Sequence, residues 1–128
     1  MERVLGRFAP QCYALMRIVT GLLFACHGAQ KLFGLLGGHR VAIATQFGLA
    51  GVIEFVGGLM IAAGFLTGFA ALVASGEMAY AYFTVHWPQG PWPIRNGGEL
   101  AVLYCFVFLY VASRGAGLWG VDKGGSRR

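Results

Sequence analysis

The sequence predicts an all-α integral membrane protein, a bundle of four helices with both termini on the cytoplasmic side. Three observations predict it. Apolar residues make up 57% of the chain and charged residues only 12%, about half the charged share of a soluble domain. The apolar residues form four runs, broken by short polar or Pro/Gly-rich segments. The basic residues sit at the ends of those runs. Arg3 and Arg7 precede the first and Arg114, Lys123, Arg127 and Arg128 follow the last, against Lys31, Arg40 and Arg95 on the other side. This asymmetry puts both termini inside by the positive-inside rule. It also argues against nucleic acid as the meaning of the +5 net charge, because no basic stripe runs along one element. The expected location is the bacterial inner membrane, crossed several times, with the first helix serving as its own uncleaved targeting signal.

Residues 1–114 read as one unit with spans at about 13–33, 48–65, 69–85 and 98–112, and residues 115–128 as a flexible basic cytoplasmic tail. Pro10 lies just before the first span, where a missing N–H does no harm. A polar loop, residues 34–46, exposes His39 and Arg40. Thr67-Gly68 reads as a very short turn, which makes the second and third spans antiparallel neighbours. Residues 86–93 hold three prolines and a glycine and are expected to be irregular. Trp87 and Trp92 there suit headgroup depth. Asn96 and Glu99 resemble a capping box opening the fourth span.

Three of the five acidic residues, Glu54, Glu77 and Glu99, fall one in each of the last three spans. A carboxylate in hydrocarbon costs about 2.5 kcal/mol or more, so such groups usually face the interior of a bundle. At about 100° per residue, Arg17, His27 and Lys31 share an arc of roughly 80° on the first span. At ~1.5 Å per residue, Glu54 lies about 9 Å and Glu77 about 12 Å below the outer surface, with Glu99 at its edge. His27, Lys31, Glu54, Glu77 and Glu99 are therefore expected to converge in the outer leaflet, under a lid of His86, Trp87 and Trp92. Arg17, nearer the inner face, is expected to pair with a backbone carbonyl or a lipid phosphate. The alternative reading of the acidic cluster is a structural ion-pair network. No metal-ligand spacing and no tightly bound cofactor motif is present. Cys12, Cys26 and Cys105 form no CxxC. They read as small buried hydrophobes, with a Cys26–Cys105 contact as the sharper alternative.

Three segments resemble the DoxX family of small four-helix membrane proteins: residues 27–34 (HGAQKLFG), residues 51–58 (GVIEFVGG), and Trp92-Pro93 with Asn96-Gly97-Gly98-Glu99. Glu77-Met78, Ala79 and Tyr82 match the family's third helix. The family's polar positions fall on His27, Lys31, Glu54, Glu77 and Glu99. The resemblance implies a redox-associated membrane subunit, related to the membrane subunit of a thiosulfate:quinone oxidoreductase. Its cofactor is unspecified apart from a quinone, and a soluble or membrane redox partner would carry electrons. Such a subunit is unlike an enzyme that acts alone. Membrane lipid surrounds it, and a homo-oligomer is left open. A small-solute permease and a non-enzymatic scaffold for a redox partner are the other readings.

Overall fold

A computed structural model describes residues 1–122, and every regular element among them is helical. Four long helices dominate: α1 (Ala9–Phe33), α2 (Gln46–Ala63), α3 (Thr67–Ala81) and α4 (Glu99–Arg114). Two are long and apolar enough to cross a membrane by themselves, the continuous helical stretch Glu2–Phe33 and Gln46–Ala63. The fifteen residues of α3 run directly into a five-residue π segment, Tyr82–His86. A 3-10 turn at Trp87–Gln89 and a short helix at Pro93–Asn96 follow, so the stretch expected to be irregular keeps helical turns. Pro10 lies inside the first turn of α1.

Small residues decide how α1 meets α2. A Cβ on Gly21 would lie 2.7 Å from the Gly58 carbonyl oxygen, and one on Gly58 would lie 2.5 Å from the Ala25 nitrogen. A Cβ on Gly28 would collide with the backbone of Phe55. The two backbones therefore touch, as close crossings in lipid require. α3 and α4 form a second close pair, where Ala70, Ala71 and Ala74 are buried with Phe108 and Val111. Ser75 Oγ donates to the Cys105 carbonyl at 2.7 Å. Phe24 joins the pairs, with its ring centroid 4.8 Å from that of Phe108 and 5.3 Å from that of Tyr104. α2 and α3 touch each other less than either pair touches internally.

One end of the molecule is clasped by Arg17, which is 0% exposed. Its Nη1 donates to the Ile61 and Ala62 carbonyls, both at 2.7 Å, and its Nη2 to those of Leu118 (2.9 Å) and Trp119 (3.1 Å). The first two belong to the last turn of α2, whose carbonyls have no partner within the helix. Of the two partners expected for Arg17, backbone carbonyls are the ones it finds. The expectation of a free tail from Gly115 is corrected for residues 115–122. That segment returns as a strap across the α2–α3 turn, with Val121 N–H on the Ala63 carbonyl (3.0 Å) and Asp122 N–H on that of Gly64 (2.8 Å). The rest of the expected tail, 123–128, lies outside the described residues. The turn itself sits at Gly64 (φ 70°) to Leu66 (φ 48°), and Thr67 already opens α3. The Asp122 carboxylate fixes this position by accepting from Leu66 N–H, Thr67 N–H and the Thr67 hydroxyl at 2.7–2.8 Å.

Large apolar side chains point outward from all four helices, among them Leu15, Val19, Val56, Leu59, Leu72, Leu103 and Phe106.

Burial pushes the Asp122 carboxyl up, but the Thr67 hydroxyl, the two N–H groups and the Arg17 charge outweigh it and hold the carboxyl below its ordinary value. A carboxyl depressed in the folded state stabilises the fold above its unfolded pKa, roughly 3.9. That share is lost as pH falls through the folded value. Asp122→Ala is expected to cost about 1 kcal/mol at neutral pH, like the loss of a helix N-cap, with the difference from wild type shrinking below about pH 4. Detergent melts at a series of pH values check this; a difference that grows with acid would contradict it.

Candidate functional site

At the end away from Arg17 the two helix pairs part around a cleft of about 600 Å³. α1 contributes Phe24, His27 and Lys31, and α2 contributes residues from Gln46 to Glu54. α3 and the π segment supply Val73, Glu77, Tyr80, Thr84 and His86, and α4 supplies Leu100, Ala101 and Tyr104. Most of the wall is apolar, and three ionisable groups, Lys31, Glu54 and Glu77, stand together in it.

Lys31 Nζ lies 2.6 Å from Glu54 Oε2. Local structure sets this meeting. Gly51, one turn before Glu54, faces Lys31 so closely that a Cβ there would lie 3.0 Å from the Lys31 Cβ. The end of α1 is fixed by Gly34 (φ 66°) and by Val41 N–H on the Lys31 carbonyl at 2.8 Å. Thr45 caps α2, its hydroxyl accepting from Gly48 N–H at 3.1 Å. Glu54 is 1% exposed, whereas the Lys31 side chain is 31% exposed. The pair is thus buried on its anionic side and wetter on its cationic side. The Glu77 carboxyl lies beside that of Glu54. One oxygen of each, Glu54 Oε1 and Glu77 Oε1, is buried without a donor from another residue. His27 presents its ring edge-on to Tyr104 at 6.0 Å.

Four expected residues therefore share the cleft: His27, Lys31, Glu54 and Glu77. Glu99 does not. It is exposed at the first position of α4. Two residues on, Ala101 faces the core, and two residues turn a helix by about 200°. Glu99 thus points away from the core, where its charge still suits the positive end of the helix. The capping box is corrected too: Asn96 Oδ1 accepts from Gly98 N–H at 2.8 Å, and Gly98 is the residue that flanks the helix.

The expected lid divides. His86 lines the cleft, and its Nδ1 is 3.2 Å from the Asn96 carbonyl. Trp87 and Trp92 are exposed and outside the cleft. Trp87 packs on Phe83 at 5.9 Å and on Tyr82 at 6.4 Å. The loop is tied down by Asn96, which is buried and donates from Nδ2 to the Tyr82 hydroxyl (3.1 Å) and the Gly90 carbonyl (2.8 Å). That tie leaves the Trp rings outside and His86 inside.

Sequence reasoning missed Tyr104, Gln46 and Tyr80. Tyr104 was legible from the spacing Ala101, Tyr104, Phe108, Val111, all buried on one face of α4. Gln46 Nε2 donates to the Tyr80 hydroxyl at 2.7 Å, a contact between helices that no local pattern announces. The cysteines are free; Cys12 and Cys26 are exposed, which corrects their reading as buried hydrophobes, and Cys105 is half-buried. Cys105 Sγ lies 3.6 Å from Ser75 Oγ. No group of three or more His, Cys, Asp or Glu among the described residues is placed to hold a metal ion.

The DoxX family model matches residues 13–87, from α1 to the turn after the π segment. A protein of Haemophilus influenzae, described as uncharacterized, is 40% identical over 126 residues, covering 93% of this chain and 94% of that protein. No solved structure matches the chain.

Removing one partner of a buried pair leaves a charge without compensation. Lys31→Ala is expected to lower stability by about 2–3 kcal/mol, less than for a fully buried pair because Lys31 is partly wet. Lys31→Met with Glu54→Leu should recover most of that loss. A double-mutant cycle read by unfolding in detergent measures the coupling; additive losses would mean that the pair does not hold the site.

Proposed function

We propose a function from one premise: the chain belongs to the DoxX family. It is an integral four-helix protein of the bacterial inner membrane, with both termini in the cytoplasm. It works as a redox-associated subunit whose outer-leaflet cleft holds a quinone or a small sulfur compound. Membership of the family supports a membrane protein. The outward apolar side chains on all four helices support four spans, since exposed apolar surface of that extent calls for lipid or a partner. The exposed Trp87 and Trp92 suit an interface.

One observation carries the choice of ligand. A cation and two carboxyls stand together in a cleft whose wall is mostly apolar. Small-molecule sites take this form, an apolar wall with a few convergent polar groups, and ionisable residues at membrane depth mark such sites or proton paths. In this reading Glu54, Glu77 and His27 exchange the protons that accompany electron transfer, and Lys31 balances charge or holds an anionic head. Glu99, Trp87 and Trp92 have no part in it. A partner protein brings the electron-transfer groups. The strap and Arg17 close the opposite end, which weighs against a permease that must open to both sides.

The test is a thermal-shift titration of the detergent-solubilised protein with quinone analogues, thiosulfate and small thiols, for wild type and Glu54→Gln. A ligand that binds only the folded state raises stability by mass action, about 2.7 kcal/mol at a hundred times its Kd. The expected result is stabilisation of wild type by a quinone and its loss in Glu54→Gln. If no ligand shifts the wild type and Glu54→Gln simply melts early, Lys31, Glu54 and Glu77 are a structural network.

A further inference from the structure

The residues before α1 are covered by nothing else among the described residues. Met1 is followed by one helical turn, Glu2–Leu5, and a 3-10 turn, Gly6–Phe8, and neither turn has a buried residue. A Cβ on Gly6 would meet no atom within 4 Å. The segment is nevertheless two-faced. At about 100° per residue, Met1, Val4, Leu5 and Phe8 fall within an arc of roughly 100°, and they are 89%, 56%, 53% and 44% exposed. Arg3 and Arg7 lie outside that arc, one turn apart. The Arg7 guanidinium stands 4.9 Å from the centre of the Phe8 ring, at the edge of the apolar face. Against these two arginines the segment carries one acid, Glu2.

α1 does not need these residues to cross a membrane. Its 25 residues span about 37 Å, more than a hydrocarbon core of roughly 30 Å. Tyr13 marks the level at which α1 leaves the bundle. Its hydroxyl donates to the Gly115 carbonyl, just past the end of α4, at 2.7 Å. The Arg114 guanidinium stands over the Tyr13 and Tyr110 rings at 5.8 and 6.0 Å, an aromatic and basic girdle of the kind found at headgroup depth. Held straight, the chain would carry Met1 about 18 Å beyond Tyr13 and leave Val4, Leu5 and Phe8 in water. A joint lies between. Phe8 departs from helical geometry (φ −101°, ψ 9°), and Pro10 has no N–H to bind back to the Gly6 carbonyl. We propose that Met1–Phe8 turns at this joint and lies along the membrane surface as an amphipathic foot. Its apolar face meets the acyl boundary, and Arg3 and Arg7 meet anionic phospholipid headgroups. Basic two-faced helices bind anionic interfaces in this way, and each arginine near such a surface adds to the attraction. The foot goes beyond the proposed redox role: it rests on the membrane-spanning reading of α1 and not on what the cleft binds.

The test measures depth in the full chain. Cys12, Cys26 and Cys105 are replaced by Ala, and a nitroxide is attached singly through Val4→Cys, Gly6→Cys or Val19→Cys. The protein is reconstituted in vesicles of phosphatidylcholine alone or mixed with phosphatidylglycerol. Collisions with oxygen report immersion in lipid, and collisions with a water-soluble nickel chelate report water. In the mixed vesicles the label at 4 is expected just below the headgroups and the label at 6, on the opposite face, in water. The immersed-to-wet ratio at 4 should fall by roughly tenfold or more in phosphatidylcholine alone, and likewise when Arg3→Gln and Arg7→Gln are combined. The label at 19, on the outward face of α1, should stay immersed throughout. Unchanged melting shows that the bundle remains folded, since the substituted residues 3, 4, 6 and 7 are all exposed. Labels at 4 and 6 that behave alike, both wet or both immersed, overturn the foot. A label at 4 shielded from both reagents also overturns it, because protein, a second copy or a partner, would then cover the face. Equal immersion at 4 in neutral vesicles and in the arginine-free variant overturns the choice of anionic lipid. A wet label at 19 would sink the membrane-spanning reading of α1, and the foot with it.

Discussion

The Arg17 clasp is the constraint on which the rest of the structure depends. A guanidinium with no exposure must find acceptors inside the protein, and here it finds four carbonyls from two distant segments. Two cap the end of α2 and two belong to the strap that follows α4. The same strap delivers Asp122 to the start of α3. One side chain on α1 therefore gathers α2, the α2–α3 turn and the segment after α4 at a single end. With that end fixed, the helices can part at the other without losing their order.

The cleft follows from how small and large residues are distributed along the pairs. Glycines at 21, 28, 51 and 58 bring α1 and α2 into backbone contact along their length, and that contact sets Lys31 opposite Glu54. Alanines do the same for α3 and α4. Between the pairs, Phe24, Tyr104 and Phe108 fill the middle, and beyond them nothing equally large fills the space towards Lys31. The π segment widens the end of α3 and turns Thr84 and His86 towards the opening. Wide turns of this kind often occur at functional sites.

The composition and the ionisable residues inside apolar runs made the helical class, the helix order and four of the cleft residues legible in the sequence. An ionisable group in such a run has few places to go, which is why Glu54 and Glu77 could be placed from depth, and His27 and Lys31 from depth and a shared helix face. Depth was not enough for Glu99, since it ignores the angle around the helix, and the angle from Ala101 puts Glu99 on the outer face. The strap was hidden for a different reason. Its composition, with three glycines in the eight residues 115–122, reads as loose chain, and what orders it is a set of long-range bonds to Arg17 and Thr67. Gln46 and Tyr80 were missed likewise, because their contact joins two helices and leaves no periodic trace. Trp87 and Trp92 were expected above the cleft because their loop is; the side chain of Asn96 decides which way that loop turns its rings.

The measurement that tests the central claim most directly is photoaffinity labelling with an azidoquinone in native membranes, read by peptide mapping. A cleft site requires label on residues 24–31, 46–54 and 73–86, displaced by unlabelled quinone. Label that is not displaced, or that falls on the outward face of α1 around Leu15 and Val19, would mean that quinone meets this protein only as a lipid does.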